Sequence, residues 1–344
     1  MSRVVSSTVT MILLISASAA YAAPSDWAAW GQTGSINVGH GHLTQCDISP
    51  DGRLALVVSE EEALIRIYGI ATKKSVDAYS IPGVEPYDAL YAVFWPLNPE
   101  SPRVLCSSKA GLALYDISGT LVQSLVPGPA QRMRWSPDRT LLMCLEFSPD
   151  KAGSILRLYR AGAPAALTQI DRWEAPDRIT AWDMNRANDK LAVATLSDQV
   201  SLVDWKTKRS LWTAPGPKYA NAISILPDGA KIACGGDHVT LYDAQTPSKT
   251  STYAAFNNNI DTIAFAPTGD AMAVSAYDGR IRVLGTDLAQ PALPLLKELK
   301  HGGTANVYGL VFYANGTRLM SSSGDRTIRF WGAVEKTAAD TKGK

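Results

Sequence analysis

The sequence has few of the residues that build metal centres, with four cysteines and four histidines among 344 residues. It contains no Cys-x-x-Cys pair and no Cys-x-x-Cys-His motif, which argues against a haem attachment site. His40 and His42 are separated by one glycine, but no third histidine or cysteine lies nearby in the sequence. A zinc site takes at least three protein ligands, so we expect loop or capping roles for this pair.

Motifs of the common enzyme classes are also missing. The sequence has no His-Glu-x-x-His, no Gly-x-Ser-x-Gly, no phosphate-binding Walker loop and no Gly-x-Gly-x-x-Gly. Most aspartates instead fall in turn sequences, where the carboxylate hydrogen-bonds its own backbone. The chain is therefore predicted to be non-enzymatic, with no cofactor and no metal.

The sequence lacks an excess of charge of one sign, because 33 basic residues face 32 acidic ones. A nucleic-acid-binding protein normally carries a basic excess or stripe, and a membrane-docking segment carries a polybasic cluster. Neither feature is present. We therefore predict no nucleic-acid partner.

No apolar run reaches the length of about 20 residues that a bilayer span requires. The longest near the start is residues 9–19, which follows Arg3 and precedes the small-x-small sequence Ala20-Tyr21-Ala22. This is the layout of a secretory signal peptide, so residues 1–22 are predicted to be cleaved and the protein to be periplasmic or secreted. A buried N-terminal helix or strand is the alternative. The mature chain would have no integral membrane span.

What the sequence does contain is a turn that recurs at intervals of 40 to 49 residues. Its clearest copies are Ser49-Pro50-Asp51-Gly52 and Leu226-Pro227-Asp228-Gly229. The second residue of the turn in the seven copies is Pro50, Pro96, Pro137, Arg186, Pro227, Pro267 and Ala314. A strand-rich unit repeated about every 40–45 residues is typical of a β-propeller.

Each repeat is predicted to form four short strands, and the third strands align well between repeats. The fold class is therefore all-β: a seven-bladed β-propeller of four-stranded blades over residues 23–334, followed by a disordered tail at 335–344. The last repeat lacks its own fourth strand. We predict that residues 32–38 supply it and so close the ring, which hides an exposed strand edge.

The repeats resemble WD40 repeats over about residues 35–333. Thr327-Ile328-Arg329-Phe330-Trp331 looks like the family's third strand, although Gly332 replaces the usual aspartate. WD40 blades often hold a structural network of histidine, serine or threonine, aspartate and tryptophan. The resemblance places this network in the last repeat, at His301, Asp325, Trp331 and a serine among Ser321 to Ser323, for which Ser322 is the predicted member. It also implies a protein-binding function. Most repeats lack members of the network, which indicates a diverged member of the family, and the predicted signal peptide indicates an exported one.

The cysteines fit the scaffold better than they fit disulfides. Cys106, Cys144 and Cys234 fall at or near the same position of a second strand in different repeats. Neighbouring blades pack about 10 Å apart, beyond the reach of a disulfide of about 7 Å between Cα atoms. We expect buried thiols, and among possible bridges Cys46–Cys106 is the least implausible.

Residues that enter each first strand are expected to line the mouth of the central channel. Counting back eight or six residues from the second residue of each turn gives mostly polar side chains. The candidate binding residues on this rim are His42, Asp88, Arg178, Tyr219, Asn221, Asn259, Asp261, Asn306 and Tyr308. A second candidate is the longer turn at residues 148–154. A solvated rim with no ligand is the plain alternative for the whole set.

The sequence therefore predicts an interaction scaffold that binds another protein or peptide through this rim, as a monomer or within a complex. One alternative is an enzyme or enzyme subunit, such as a lactonase-like hydrolase or the propeller subunit of a quinone-dependent dehydrogenase. In that case Asp88, Asn221, Asn259 and Asp261 could offer metal ligands. A structural component of an envelope complex is a third interpretation.

Overall fold

Each copy of the repeat folds into one antiparallel sheet of four strands, and seven such sheets form a ring in a computed structural model. The structure describes residues 26–128, 132–147, 153–163, 165–256 and 258–334. The predicted signal peptide, the C-terminal tail and residues 148–152 of the third-blade turn lie outside the described residues. The predicted fold class is confirmed.

The strands take the same four places in every blade. First strands of neighbouring blades contact one another around the central channel. They are β2 (Gln45–Ile48), β6 (Tyr91–Phe94), β10 (Met133–Trp135), β14 (Ile179–Met184), β18 (Ala222–Ile225), β22 (Ile260–Phe265) and β26 (Val307–Tyr313). Second strands are β3 (Leu54–Ser59), β7 (Arg103–Ser108), β11 (Leu141–Phe147), β15 (Lys190–Thr195), β19 (Lys231–Gly235), β23 (Ala271–Ala276) and β27 (Arg318–Ser323).

The outer half of each blade consists of a third and a fourth strand. Third strands are β4 (Leu64–Gly69), β8 (Gly111–Asp116), β12 (Ser154–Gly162), β16 (Gln199–Asp204), β20 (Val239–Asp243), β24 (Arg280–Gly285) and β28 (Thr327–Ala333). Fourth strands are β5 (Ser75–Ser80), β9 (Leu121–Pro127), β13 (Ala166–Ala175), β17 (Arg209–Pro215), β21 (Thr250–Tyr253), β25 (Leu295–Lys300) and β1 (Trp30–Asn37). The 3-10 turns are Trp27–Ala29 and Ala314–Gly316. Within the described ranges, no helix has the length and apolar character that crossing a bilayer requires.

The N-terminal strand closes the ring, as the sequence predicts. β1 pairs antiparallel with β28, from Trp30 opposite Ala333 to Asn37 opposite Thr327. Trp27 and Trp30 are both buried, with ring centroids 4.6 Å apart, in the cluster between the sixth and seventh blades. The two ends of the chain are therefore held together by backbone pairing and by apolar packing.

The hydrophobic core lies between the blades rather than within one of them. The cluster between the first and second blades, for example, joins Leu56 and Ile65 to Phe94 and Val104, all fully buried. Apolar residues on second and third strands are buried on both faces because each sheet packs between two others. Every blade thus depends on its neighbours for burial.

The recurring turn connects the first and second strands of each blade. Ser49 Oγ donates to Asp51 Oδ1 at 2.6 Å and accepts the Leu54 N–H at 2.9 Å, so serine and aspartate fix the loop. The last position of the turn needs a left-handed backbone, and Gly52 has φ of 74° there. Arg139 occupies the same position of the third blade with φ of 56°.

The antiparallel order of the strands gives the ring two distinct faces. The recurring turns and the connections between third and fourth strands lie at one end of the channel, here named the turn face. Connections between blades and the turns between second and third strands lie at the other end, here named the rim face. The faces therefore draw on different parts of each repeat.

Candidate functional site

The nine rim residues lie in connections between blades or at the start of first strands, and hence on the rim face. They are distributed around the ring, and the structure brings only some of them together.

Arg178, Leu196 and Tyr219 form an exposed group here named the rim patch. Tyr219 is 67% exposed and Leu196 is 63% exposed. The Leu196 N–H donates to the Arg178 carbonyl at 2.8 Å, and the Tyr219 N–H donates to Asp198 Oδ1 at 2.8 Å. The short turn at residues 195–198 therefore contacts both Arg178 and Tyr219, which belong to two different connections between blades.

The turn that carries Leu196 is itself clamped by a carboxylate. Burial acts to raise the pKa of Asp177, but hydrogen bonds from Ser197 and from the Arg178 N–H, at 2.7 Å, prevail and lower it. Asp177 thus stays ionised while it holds the turn between β15 and β16. The rim patch is consequently presented by a fixed backbone rather than by a free loop.

Asp261, Tyr277, Asn306 and Tyr308 form a second group at the mouth of the channel, here named the tyrosine cluster. Asn306 Nδ2 donates to Tyr308 Oη at 3.0 Å, and the rings of Tyr277 and Tyr308 meet edge to face with centroids 6.5 Å apart. Asp261 Oδ2 is buried and has no hydrogen-bond partner in the described part of the chain. The cluster joins the sixth and seventh blades.

Burial dominates the titration of this cluster. Burial raises the pKa of Asp261 to about 7, and the hydrogen bond with Tyr277, which acts to lower that pKa, has the smaller effect. Burial also raises the pKa of Tyr277 to about 12, and the nearby Asp261 charge adds to that effect. A carboxyl group that titrates near neutrality at a channel mouth can change the charge of the site over a physiological range of pH.

His42 and Asp88 lie elsewhere on the rim and are engaged by near neighbours. His42 is exposed, and its backbone N–H donates to Glu61 Oε2 at 3.0 Å. Asp88 accepts the Glu85 N–H at 2.8 Å and pairs with Lys109 at 2.9 Å, contacts that lower its pKa. These two side chains belong to local loop contacts and not to the rim patch or the tyrosine cluster.

Asn221 and Asn259 contribute backbone contacts at the entrances of β18 and β22. The Asn221 N–H donates to the Gly235 carbonyl at 3.0 Å, and the Asn259 carbonyl accepts the Tyr277 N–H at 3.2 Å.

Across the ranges that the structure describes, no three histidine, cysteine, aspartate or glutamate side chains come together as metal ligands would.

The structure corrects one member of the predicted network in the last blade. His301 is fully buried and its Nδ1 lies 3.2 Å from Asp325 Oδ2, while Trp331 Nε1 donates to Ser321 Oγ at 2.8 Å. The serine in contact with the tryptophan is thus Ser321 and not Ser322. Side chains alternate across a strand, so Ser322 points to the opposite side of β27.

All four cysteines lie within the described residues and are free thiols. Cys106, Cys144 and Cys234 are buried, and burial raises the pKa of each thiol. A thiol held in its protonated form is a poor nucleophile and a poor metal ligand. These cysteines act as small apolar core residues, in agreement with the interpretation from the sequence.

A cavity of about 860 Å³ opens at the turn face, where the sequence predicts no site. Its wall includes Pro50, Pro137, Arg139, Arg160 and Arg186. The signal in the sequence is the replacement of the usual turn residues: arginine stands at the left-handed position of the third turn, and arginine replaces proline in the fourth. Comparison of the seven turns by residue type would have marked both.

Comparisons with known proteins agree with this architecture. The family model of the WD domain, G-beta repeat, matches residues 294–332, from β25 to β28. A similar relative is the target of rapamycin complex subunit wat1 of Schizosaccharomyces pombe, with 30% identity over 120 residues. That match spans 34% of this chain and 36% of the relative's length.

The closed ring of seven four-stranded blades defines the protein as a β-propeller. With the matched repeat and the similar relative, it is a WD40-like propeller. WD40 propellers typically act as scaffolds for protein interactions.

Proposed function

We propose that this protein is an interaction scaffold that binds a partner protein through the rim patch. The observation that carries the proposal is the exposure of Tyr219 and Leu196 beside Arg178 on one face. Tyrosine and arginine are enriched among the residues that dominate binding energies at protein interfaces. Large apolar side chains exposed together also mark interaction sites more often than single ones do.

The backbone contacts beneath the patch favour binding because they reduce the entropy lost on association. Asp198 holds the Tyr219 N–H, and Asp177 holds the turn that carries Leu196. A loop already fixed in its bound conformation loses little freedom when a partner docks. Function carried by loops on a rigid scaffold is the common arrangement in such folds.

The relative named as a complex subunit supports the same class of function. Its printed name describes assembly with other proteins, and its similarity to this chain covers 120 residues. We transfer only the class, protein binding, and leave the partner of this chain to experiment.

The test is a triple variant, Arg178→Ala, Leu196→Ala and Tyr219→Asn. Asparagine is chosen because Tyr219 has φ of 58°, a left-handed conformation that asparagine tolerates. We expect loss of photocrosslinking to the partner in the native compartment, with an unchanged melting temperature.

The matched control replaces three apolar residues on the outer strands, Val76, Leu121 and Leu211, which are 45%, 52% and 52% exposed. Alanine at these positions removes a similar exposed area away from the rim face, so crosslinking should persist. If the rim triple variant retains its partner, the rim patch is not the binding site.

We also propose that the protein is exported, on the basis of Arg3, the apolar run at residues 9–19 and the Ala20-Tyr21-Ala22 sequence. Mass spectrometry of the protein from a fractionated cell should find a mature N-terminus at Ala23 in the exported fraction. An intact Met1 on protein confined to the cytosol would contradict this proposal.

Enzymatic activity is a second candidate function, favoured by the raised pKa of Asp261 beside Tyr277 in the channel mouth. Residues with strongly shifted pKa values in a cleft are candidates for proton transfer. Metal analysis and an absorption spectrum of the purified protein separate the two functions. A stoichiometric metal or a chromophore would favour the enzyme.

A further inference from the structure

The cavity at the turn face differs from the rim in position and in chemistry. Its volume of about 860 Å³ falls within the range of ligand pockets, and recurring turns from six of the seven blades contribute to its wall. The motif that defines the fold therefore also builds the wall of this cavity. Nothing in the proposed rim interaction uses this surface.

The charge of the wall is predominantly positive. Arg139, Arg160 and Arg186 line it, and Asp138 is the acidic residue among the lining side chains. The Asp138 carboxylate accepts hydrogen bonds from the hydroxyl groups and backbone of its own turn. Arg160 and Arg186 are exposed, and neither has an ion-pair partner among the described residues.

Arg139 is held in place and has an unused donor. Its Nη2 donates to Asp47 Oδ1 and to the Ile48 carbonyl, both at 2.9 Å. Its Nη1 is buried and has no acceptor within the described ranges. An unsatisfied buried donor is costly, and a ligand oxygen at the wall would remove that cost.

The remainder of the wall is apolar and stiff. Pro50, Pro137 and Pro267 project from separate blades, and partly buried aromatic side chains of the seventh blade lie beside them. Such a surface suits the apolar side chains of an extended peptide. The guanidinium groups of Arg160 on the third blade and Arg186 on the fourth blade suit two carboxylates of that peptide, because the planar guanidinium group matches the planar carboxylate.

We propose that the turn-face cavity is a second binding site, which takes an extended acidic peptide of a partner protein. Arg160 and Arg186 contact its carboxylates, and Arg139 supplies the buried donor at the wall. The proline side chains contact apolar residues of the peptide. This site is independent of the rim patch, so either proposal can fail while the other holds.

The probe for this site is a fluorescein-labelled hexapeptide of alternating glutamate and leucine, followed by fluorescence anisotropy with the full-length protein. We expect saturable micromolar binding that weakens when salt rises from about 0.1 M to about 0.5 M. The double variant Arg160→Gln with Arg186→Gln should bind at least about tenfold more weakly, since each lost charge-assisted contact contributes of the order of a few-fold or more.

The matched control is Lys206→Gln with Arg209→Gln, which removes the same charge from exposed positions on the outer part of the same face. This control should bind like the unmodified protein. A charge-reversed variant, Arg160→Glu with Arg186→Glu, should instead bind a hexapeptide of alternating lysine and leucine more tightly than the glutamate and leucine peptide.

Several results would overturn the proposal. They are no binding of the acidic peptide at millimolar concentration, equal binding by the Arg160→Gln, Arg186→Gln variant, and equal loss in the control variant. Displacement by glutarate at the same concentration as unlabelled peptide would also overturn it, because the cavity would then serve a small dicarboxylate. The rim triple variant should leave peptide binding unchanged, which keeps the two sites distinguishable.

Discussion

Arg139 has two opposing effects on stability, and substitution can separate them. Its backbone is left-handed at φ of 56°, a conformation that costs a non-glycine residue about 1 kcal/mol relative to glycine. Its guanidinium bridges the third blade to Asp47 in the first blade, with side-chain exposures of 27% and 11%. Removing one member of a largely buried, hydrogen-bonded pair costs about 2–3 kcal/mol here, below the range for fully buried pairs.

Arg139→Ala removes the guanidinium but keeps the unfavourable backbone, so we expect a loss of about 2–3 kcal/mol in the free energy of unfolding. Arg139→Gly also relieves the backbone, so its loss should be smaller by about 1 kcal/mol. Because neither variant has the guanidinium group, the difference in stability between them measures the cost of the left-handed backbone alone. A double-mutant cycle with Asp47→Ala should give a coupling of about 1–2 kcal/mol.

The assay is equilibrium unfolding in urea followed by the fluorescence of the nine tryptophans, with the slope of the transition held constant between variants. Coincidence of the fluorescence and circular dichroism transitions checks that unfolding is two-state. If Arg139→Gly is more stable than the unmodified protein, the bridge contributes less than the backbone costs. Equal stability of the alanine and glycine variants would refute the left-handed assignment.

Three further predictions concern the tyrosine cluster, the last blade and the ring closure. Burial raises the pKa of Asp261 in the folded state from its ordinary value of 3.8 to about 7, so the folded state binds the extra proton and stability falls as pH rises from about 4 to about 7. Asp261→Asn should remove this part of the pH profile and raise the stability above pH 7 by about 2 kcal/mol, after allowance for partial solvent exposure. Urea unfolding across pH measures both effects, and an unchanged profile would contradict the raised pKa of Asp261. Trp331→Phe leaves the buried Ser321 hydroxyl without its donor and should cost about 1–3 kcal/mol in the same assay, while a loss below about 0.5 kcal/mol would show that the bond contributes little. Removal of residues 26–37 exposes the edge of β28 and the apolar surface under Trp30, so size-exclusion chromatography should find aggregates; a monodisperse monomer would show that closure is dispensable.

Much of the fold could be predicted because the recurring turn is a local feature. Ser49, Pro50 and Asp51 interact within a few residues of one another, and such contacts leave a direct trace in the sequence. Counting strands per repeat then predicted that the N-terminal segment completes the last blade. That step needed only the number of strands and the cost of an exposed edge, and not the details of packing.

The sites could be predicted less well because their contacts join distant parts of the chain. Arg139 meets Asp47 across 92 residues, and the position of neither side chain follows from the turn alone. Leu196 belongs to a turn between second and third strands, which counting back from the recurring turn does not reach. The spacing of the network is compatible with any of Ser321 to Ser323, and only the side-chain direction along β27 shows that Ser321 contacts Trp331.

The polar residues that line the channel wall act mainly within the scaffold. Three of the first strands carry a charged residue at the same position, namely Asp47, Arg134 and Asp183. Each of these side chains hydrogen-bonds to the backbone of the first strand in the next blade. The distances are 2.8, 3.1 and 3.0 Å, and they place charged groups in the contacts between neighbouring first strands. Substituting these residues would loosen the contact between blades before it altered any binding. Side chains that can be exchanged without that effect are the exposed ones, such as Tyr219 on the rim face and Arg186 on the turn face. A partner recognised through those two faces would leave the channel itself as a structural element.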